Sequence, residues 1–330
     1  MSWNHAYGAL LGVLCGDAAG ATLEFARHKI THHDVDQAVR MPGGGVFDVG
    51  PGQITDDSEL ALALSRGLAG HTPTNGFPLD SVAAQYYQWF ASDPYDIGNT
   101  CAAAFNVTTE DGKYGSAMLD TAAKLNTRSE ANGSLMRVLP LAIWAHTQPD
   151  EKLAALAREE ARLSHPNVVC QDANAVYCLL VAHLIRQPGD AQGALARAER
   201  YVNDHVSSSV REWFLRESLD IGDMVCTRSI GHVRWAFVLA VHHLRQQTPF
   251  EDGIRETLLL GGDTDTNAAI VGGVLGALHG ETAIPDFMKR PVLQFDCVYP
   301  PRGRQRPQSC LAAQAENLVR QLLQSDTSSV

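Results

Sequence analysis

Apolar residues recur at three- and four-residue intervals along nearly the whole chain, while sustained alternation of β-branched residues is almost absent. Leu10, Leu11, Val13 and Leu14 begin the pattern. Leu60, Leu62, Leu64 and Leu68 continue it, and Val176, Tyr177, Leu180, Val181 and Leu184 repeat it. Such spacing gathers apolar groups on one face of a helix rather than on one face of a strand. Further helices are predicted over 80–91, 150–164, 192–203, 233–246, 266–279 and 313–324. Alanine is abundant inside them, which favours the helix and lets neighbouring axes approach closely. The expectation is an all-α globule of many short helices.

The joints between these helices are turn chemistry rather than long linkers: Met41 to Gly52, His71 to Pro78, Asn132 to Ser134 and Gly261 to Asp265. Nothing marks a domain boundary, so 330 residues are read as a single domain, with its core at about 5–324 and a frayed end from Ser325 to Val330. A hydrophobic share of 45% against 19% charged is enough to bury a core, and excludes disorder. Acidic residues outnumber basic ones 37 to 26. The resulting charge of −11 argues against nucleic acid as a partner. The seven cysteines contain no C-x-x-C pair, which points to reduced, buried thiols in a cytoplasm. No run of about 20 uninterrupted apolar residues exists, and Asp17 breaks the apolar N-terminal stretch, which also lacks a basic flank. Neither a membrane partner nor a signal peptide is expected.

Two acidic loops carry the chemistry. In the first, Gly52-Gln53-Ile54-Thr55-Asp56-Asp57-Ser58-Glu59 leads directly into the apolar run at Leu60. Alone it reads as a helix start, with Asp56 as N-cap and Glu59 at the third helical position. In the second, Gly261-Gly262-Asp263-Thr264-Asp265-Thr266-Asn267 leads into Ala268 to Leu278, where Asp265 or Thr266 could again simply cap. Two glycines and a D-x-D-T exceed what a cap requires. Side chains two apart on a helix diverge, so Asp263 and Asp265 converge only if the backbone turns there, which the glycines make easy. Clustered carboxylates and hydroxyls, without cysteine or paired histidine, suit Mg²⁺ or Mn²⁺ better than zinc. Together the loops offer the oxygens that two divalent ions need.

With these blocks on the page the chain resembles the ADP-ribosylglycohydrolase family, and is most similar to its arginine-directed bacterial branch, the dinitrogenase reductase-activating glycohydrolases. The likeness runs from Tyr7 to about Gly280 through ordered blocks: Gly8 to Gly12, Gly16-Asp17 and Glu24-Phe25; Gly43 to Gly45; Gly52 to Asp57; Asp96 to Thr100; Asn132 to Arg137; Ser164 to Pro166; and Gly261 to Asn267. The resemblance implies an all-α orthogonal multi-helix bundle with two Mg²⁺, or Mn²⁺, on the floor of a cleft. It places the metal ligands on Thr55, Asp56, Asp57, Asp263, Asp265 and Thr266. It makes Glu24, Asp56, Asp96 and Asp263 catalytic, and gives Gly98, Asn132, Gly133, Ser134 and His165 to the substrate.

The expected roles follow. Glu24 accepts a water proton or holds substrate hydroxyls, where a lone glutamate at a helix end would ordinarily be a surface residue. Asp96 stands beside the leaving group. Asn99 occupies a position where the branch carries an acidic residue, which bears on linkage specificity. Asn132-Gly133-Ser134 opens a helix at Leu135 and cradles the diphosphate or the distal ribose. Arg137, a turn further in, is structural. His165 binds on the phosphate side without acting as general base. Gly43 to Gly45 form a mobile flap near the metals or, alternatively, a plain connecting loop.

The expected function is metal-dependent release of ADP-ribose from modified protein side chains, N-linked on arginine, by a cytoplasmic monomer. The alternatives are hydrolysis of O-linked ADP-ribose (on serine, in poly(ADP-ribose) or in O-acetyl-ADP-ribose), a non-catalytic ADP-ribose-binding member, or an immunity factor that docks on a toxin.

Overall fold

A computed structural model describes residues 2–26, 28–109 and 111–324, so the frayed end expected from Ser325 lies outside the described residues. Sixteen α-helices account for most of it, and among the described residues there is no strand, only isolated bridges between Gly44 and Val49 and between Ala131 and His232. In chain order the helices are α1 Ser2–Gly20, α2 His32–Ala38, α3 Asp56–Leu68, α4 Leu79–Ala91, α5 Asn99–Phe105, α6 Tyr114–Leu125, α7 Leu139–Trp144 and α8 Asp150–Ala161. They continue as α9 Val168–Arg186, α10 Ala191–His205, α11 Ser208–Leu215, α12 Val233–Gln246, α13 Phe250–Leu259, α14 Thr264–His279, α15 Asp286–Gln294 and α16 Ala315–Gln324.

The centre is the pair α1 and α14, both almost wholly buried. Glycines at every fourth position of α1 line the contact: Gly8, Gly12, Gly16 and Gly20. A Cβ on any of them would fall under 3.0 Å from backbone atoms of α14 or of the turn after it: Gly276 and Glu281, Gly272, Ala268, and Asp265. The two backbones therefore touch, as side-chain-bearing helices cannot. Asp17 sits within this seam, and the seam runs into the first turn of α14. Helix α9 packs on the other side, its Tyr177 Oη donating to the Ile270 carbonyl at 2.8 Å across the gap left by Gly273. By length and hydropathy α9 could cross a membrane, yet 83% of its most apolar window is buried in this chain's own core. Its apolar character has a structural cause here.

Two local expectations are corrected. The helix foreseen from Leu135 is a run of turns, and α7 begins only at Leu139, with Pro140 in its first turn. The N-cap of α3 is Thr55 rather than Asp56, and Glu59 does not reach back to the cap. Glu59 is instead buried against Arg306 and accepts from Trp89 Nε1 at 2.6 Å. All seven cysteines are free and buried.

Candidate metal centre and substrate cleft

The two acidic loops meet. Thr55, at the cap of α3, spends neither hydroxyl nor N–H on capping: both donate to Asp17, from the hydroxyl at 2.8 Å and from the N–H at 3.0 Å. Ser58 N–H adds a bond to the same carboxylate at 3.1 Å. An aspartate in the middle of an apolar helix thus fixes the start of α3. The Thr55 hydroxyl also lies 3.1 Å from Asp57 Oδ2 and 3.4 Å from Asp265 Oδ2, which joins the two loops directly. On the other loop Gly261 and Gly262 have φ of +69° and +81°, the left-handed turn that brings Asp263 and Asp265 to one side. Asp263 accepts from Asn132 Nδ2 at 2.8 Å, and Thr266 N–H donates to Asp265 Oδ1 at 2.9 Å.

Two carboxylate triads result, each with its oxygens within 4.8 Å of one another: Asp17, Asp57 and Asp265 at the bottom, and Glu24, Asp96 and Asp265 above. Both fit a divalent cation. Asp57 Oδ1 and Glu24 Oε2 are buried with no hydrogen-bond partner, and among the described residues lining the cleft there is no lysine or arginine to balance the charge. Burial, followed by the neighbouring carboxylates Asp96 and Asp263, pushes Glu24 up to about 9. Burial and then Asp263 raise Asp96 to about 7. Burial holds Asp56, Asp57 and Asp265 well above the usual carboxylate range. Asp17, also buried, rises only to about 6 because Ser58 and Thr55 hydrogen-bond its charged form. Repelling carboxylates taken out of water need either protons or cations.

Above the carboxylates opens a cleft with a cavity volume of about 360 Å³. Glu24, Asp56, Asp96, Gly98, Asn132, Gly133, His165, Asp263, Asp265 and Thr266 all lie in its wall, while Thr55 and Asp57 are buried beneath. Gly98 N–H points at Asp56 Oδ2, 3.4 Å away. His165 is fully buried, with Nδ1 on Ser164 Oγ at 2.8 Å and Nε2 unpartnered. Burial and then the nearby Arg137 hold its pKa well below the imidazole range, so the ring is neutral. A Cβ on Gly133 would lie 3.0 Å from both the His165 ring and Cys101 Sγ, so a larger residue there would have to displace them.

Two expectations need correction. Ser134 is not in the wall: it is buried, and its hydroxyl accepts from Asn174 Nδ2 at 3.0 Å. The Gly43 to Gly45 loop does not line the cleft; it is closed by the Gly44–Val49 bridge and held by Arg304 Nε on the Phe47 carbonyl. Arg137 is structural as expected, ion-paired with Glu160 at 2.6 Å and donating to the Gly133 carbonyl at 3.2 Å.

Asp17 is the residue that sequence reasoning passed over, although a carboxylate in an apolar helix with glycines four apart was its signal. Phe25, with φ of +53° and 47% exposed, and Ile230 also line the cleft; Phe25 lay in a matched block without being singled out, and Ile230 had no sequence signal.

A sequence model of the ADP-ribosylglycohydrolase family matches residues 3–327. The chain is 30% identical over 282 residues to ADP-ribosyl-[dinitrogen reductase] glycohydrolase of Rhodospirillum rubrum, covering 86% of this chain and 88% of the relative. It is 28% identical over 293 residues to ADP-ribosylarginine hydrolase Tri1 of Pseudomonas putida (strain GB-1), covering 86% and 72%. A solved ADP-ribosylglycohydrolase-related protein complex superposes with a TM-score of 0.74 at 25% identity, covering 98% of both chains. The match along almost the whole length, on this helical architecture, places the chain in the ADP-ribosylglycohydrolase family, enzymes that act on the glycosidic linkages of ADP-ribose.

Proposed function

We propose that this protein is a divalent-metal-dependent hydrolase that releases ADP-ribose from arginine side chains of modified proteins. The observation that carries the reading is the Glu24–Asp96–Asp265 triad, three carboxylates with oxygens within 4.8 Å of one another in a cleft whose described lining holds no lysine or arginine. The names of the relatives from Rhodospirillum rubrum and Pseudomonas putida support the substrate class.

Cleaving the bond from ribose C1 to a guanidinium nitrogen leaves a neutral guanidine and an oxocarbenium-like sugar. Water adds to C1, and the proton it loses ends on the departing guanidine, so the products are ADP-ribose and arginine. A carboxylate beside the leaving group can carry that proton, and Asp96 and Glu24 are the carboxylates in the wall outside the proposed ligand set. Two Mg²⁺ or Mn²⁺, held by Thr55, Asp56, Asp57, Asp263, Asp265 and Thr266, would anchor the ribose hydroxyls and acidify a water. Asn132, Gly133 and the neutral His165 hold the far side of the substrate and fix C1 over the carboxylates.

Asn99 lines the cleft without charge, which weakens the attraction for a cationic acceptor and makes an O-linked substrate the second reading. The deciding experiment compares release of ADP-ribose from arginine-modified and serine-modified peptides at equal enzyme, with Mg²⁺ and with excess chelator. Faster release from arginine that stops in chelator is expected, together with loss of turnover in folded Asp56→Ala and Asp263→Ala. Turnover that persists in chelator sinks the mechanism, and preference for serine replaces the substrate.

A further inference from the structure

The stretch from Arg302 to Gln308 is polar, contains a proline and has no part in the chemistry above. It nevertheless holds a nearly inaccessible guanidinium: Arg306 is 4% exposed and its partner Glu59 2%. Arg306 Nε and Nη2 fork onto the Glu59 carboxylate at 2.9 to 3.1 Å. Nη1 donates to the Ser92 carbonyl at 3.0 Å and the Asp93 carbonyl at 3.2 Å, and Nη2 also donates to Ser92 Oγ at 2.9 Å. Asp93 takes φ of +54°, a conformation unusual for a residue with a side chain, with its carbonyl on this guanidinium.

The two segments that Arg306 joins are those that carry the site. Glu59 lies two residues beyond Asp57 on the first turn of α3, and Asp93 lies three before Asp96. Tyr95 Oη on the Ile54 carbonyl at 2.7 Å and Gly98 N–H on Asp56 also join them, and Trp89 Nε1, three residues before Ser92, donates to Glu59 at 2.6 Å. The same strap grips the approach to α3: Gln53 Nε2 donates to the Arg304 carbonyl at 2.7 Å, and Gln53 Oε1 accepts from Arg304 N–H at 2.8 Å and from Gly50 N–H at 2.9 Å. Asp56 and Asp96, one from each segment, repel one another, and the ties between the segments oppose that repulsion. Only a planar fork of five donors can satisfy a carboxylate and two carbonyls at once; a lysine ammonium cannot span them.

We infer that Arg306 is a positioning residue that clamps the Asp96 loop to the Thr55–Asp57 turn, so that carboxylates from both loops are presented to the same cations. The inference rests on the metal-dependent reading above. It assigns a role in the centre to a residue that touches neither cation nor substrate.

The test is direct titration of the full-length protein with Mn²⁺, read by calorimetry, beside thermal unfolding and kcat at saturating Mn²⁺. The variants are Arg306→Met, Arg306→Lys and, as control, Arg66→Met. Arg66 ties the same strap to the far end of α3, through the Ser309 carbonyl at 2.7 Å, without touching either loop. Arg306→Met is expected to lose roughly 10-fold or more in Mn²⁺ affinity, with a lower kcat, as outer partners of metal ligands do. Arg306→Lys, which keeps the charge, recovers only part of this, and Arg66→Met binds Mn²⁺ as the parent does even where its unfolding temperature falls. If Arg306→Met does not fold, Arg306→Lys against Arg66→Met decides. Equal Mn²⁺ affinity in all folded variants, or a loss that merely tracks unfolding temperature in both, overturns the clamp while leaving the function. Parent protein that binds no Mn²⁺ overturns both.

Discussion

At the scale of single residues, the site depends on one carboxylate that contacts no substrate. Asp17 takes the N–H and hydroxyl of Thr55 and the N–H of Ser58, leaving the Thr55 oxygen aimed between Asp57 and Asp265. In Asp17→Asn one acceptor oxygen becomes a donor, and at least one of these bonds is lost with little change in volume. The expected result is a folded protein whose Mg²⁺ or Mn²⁺ affinity falls roughly 10- to 100-fold. Metal titration of that variant checks it, and unchanged affinity would show that Thr55 holds its place without Asp17. The loops that meet at this point were legible as composition: carboxylates and hydroxyls without basic neighbours exceed what two helix caps require. Their separation along the chain hid the rest. Nothing local in Gln53 to Glu59 says that Asp17 will accept their N–H groups, and nothing near Glu59 announces Arg306. Ser134 was misplaced for the converse reason, since a serine after Asn-Gly reads the same whether its hydroxyl faces a ligand or, as here, Asn174.

At the scale of elements, the contact between α1 and α14 decides whether Asp17 and Asp265 are neighbours. Gly16→Ala sets two effects against each other. Alanine favours the helix over glycine by about 0.5–1 kcal/mol. The added methyl would meet the Ala268 carbonyl and the Ala269 N–H, backbone atoms that cannot rotate aside. Overpacking of a tight core costs about 1–3 kcal/mol, so the clash wins and the variant is destabilised. Because the strain separates the helices that carry Asp17 and Asp265, metal affinity falls as well. Denaturant midpoints in chelator and in Mg²⁺ measure both, and a Gly16→Ala protein as stable as the parent would mean that the seam can open without cost. Helices α1, α3, α4, α8, α9, α10, α12, α14 and α16 were readable because each carries, over about three turns or more, either an apolar stripe or, in α1 and α14, apolar and small residues on every side. Short ones such as α2, α5, α7 and α11 were not, since one or two turns hold too few apolar positions to define a period. Helix α6 escaped for another reason: the residues it buries are Gly115, Met118 and Ala122, small groups that leave a faint stripe.

At the scale of the whole molecule, the buried carboxylates make stability a function of cation and pH together. A carboxyl whose folded pKa lies above its unfolded value contributes stability that is complete at low pH and lost as pH rises through the folded value. Asp96 and Glu24 rise from 3.8 and 4.5 to about 7 and about 9, and Asp56, Asp57 and Asp265 move in the same direction. The buried histidines work against them at lower pH. His165 is held well below 6.5 and His243 at about 4, so each adds stability as pH rises towards 6.5 and nothing beyond. Cysteines raised above 9.0 destabilise only where the unfolded thiols ionise, near and above that value. Between about pH 7 and 8.5 the site carboxylates are therefore left to set the slope. In chelator the unfolding temperature is expected to fall across that interval. In Mg²⁺ the cation supplies the charge that protons supplied, and it binds more tightly as they leave. The fall should flatten or reverse, with a gain of about 2.7 kcal/mol when the free ion is at 100 times its dissociation constant. Thermal unfolding at several pH values in the two media is the measurement. Parallel curves, with no widening gap between chelator and Mg²⁺ as pH rises, would mean that these carboxylates are not where the cation resides.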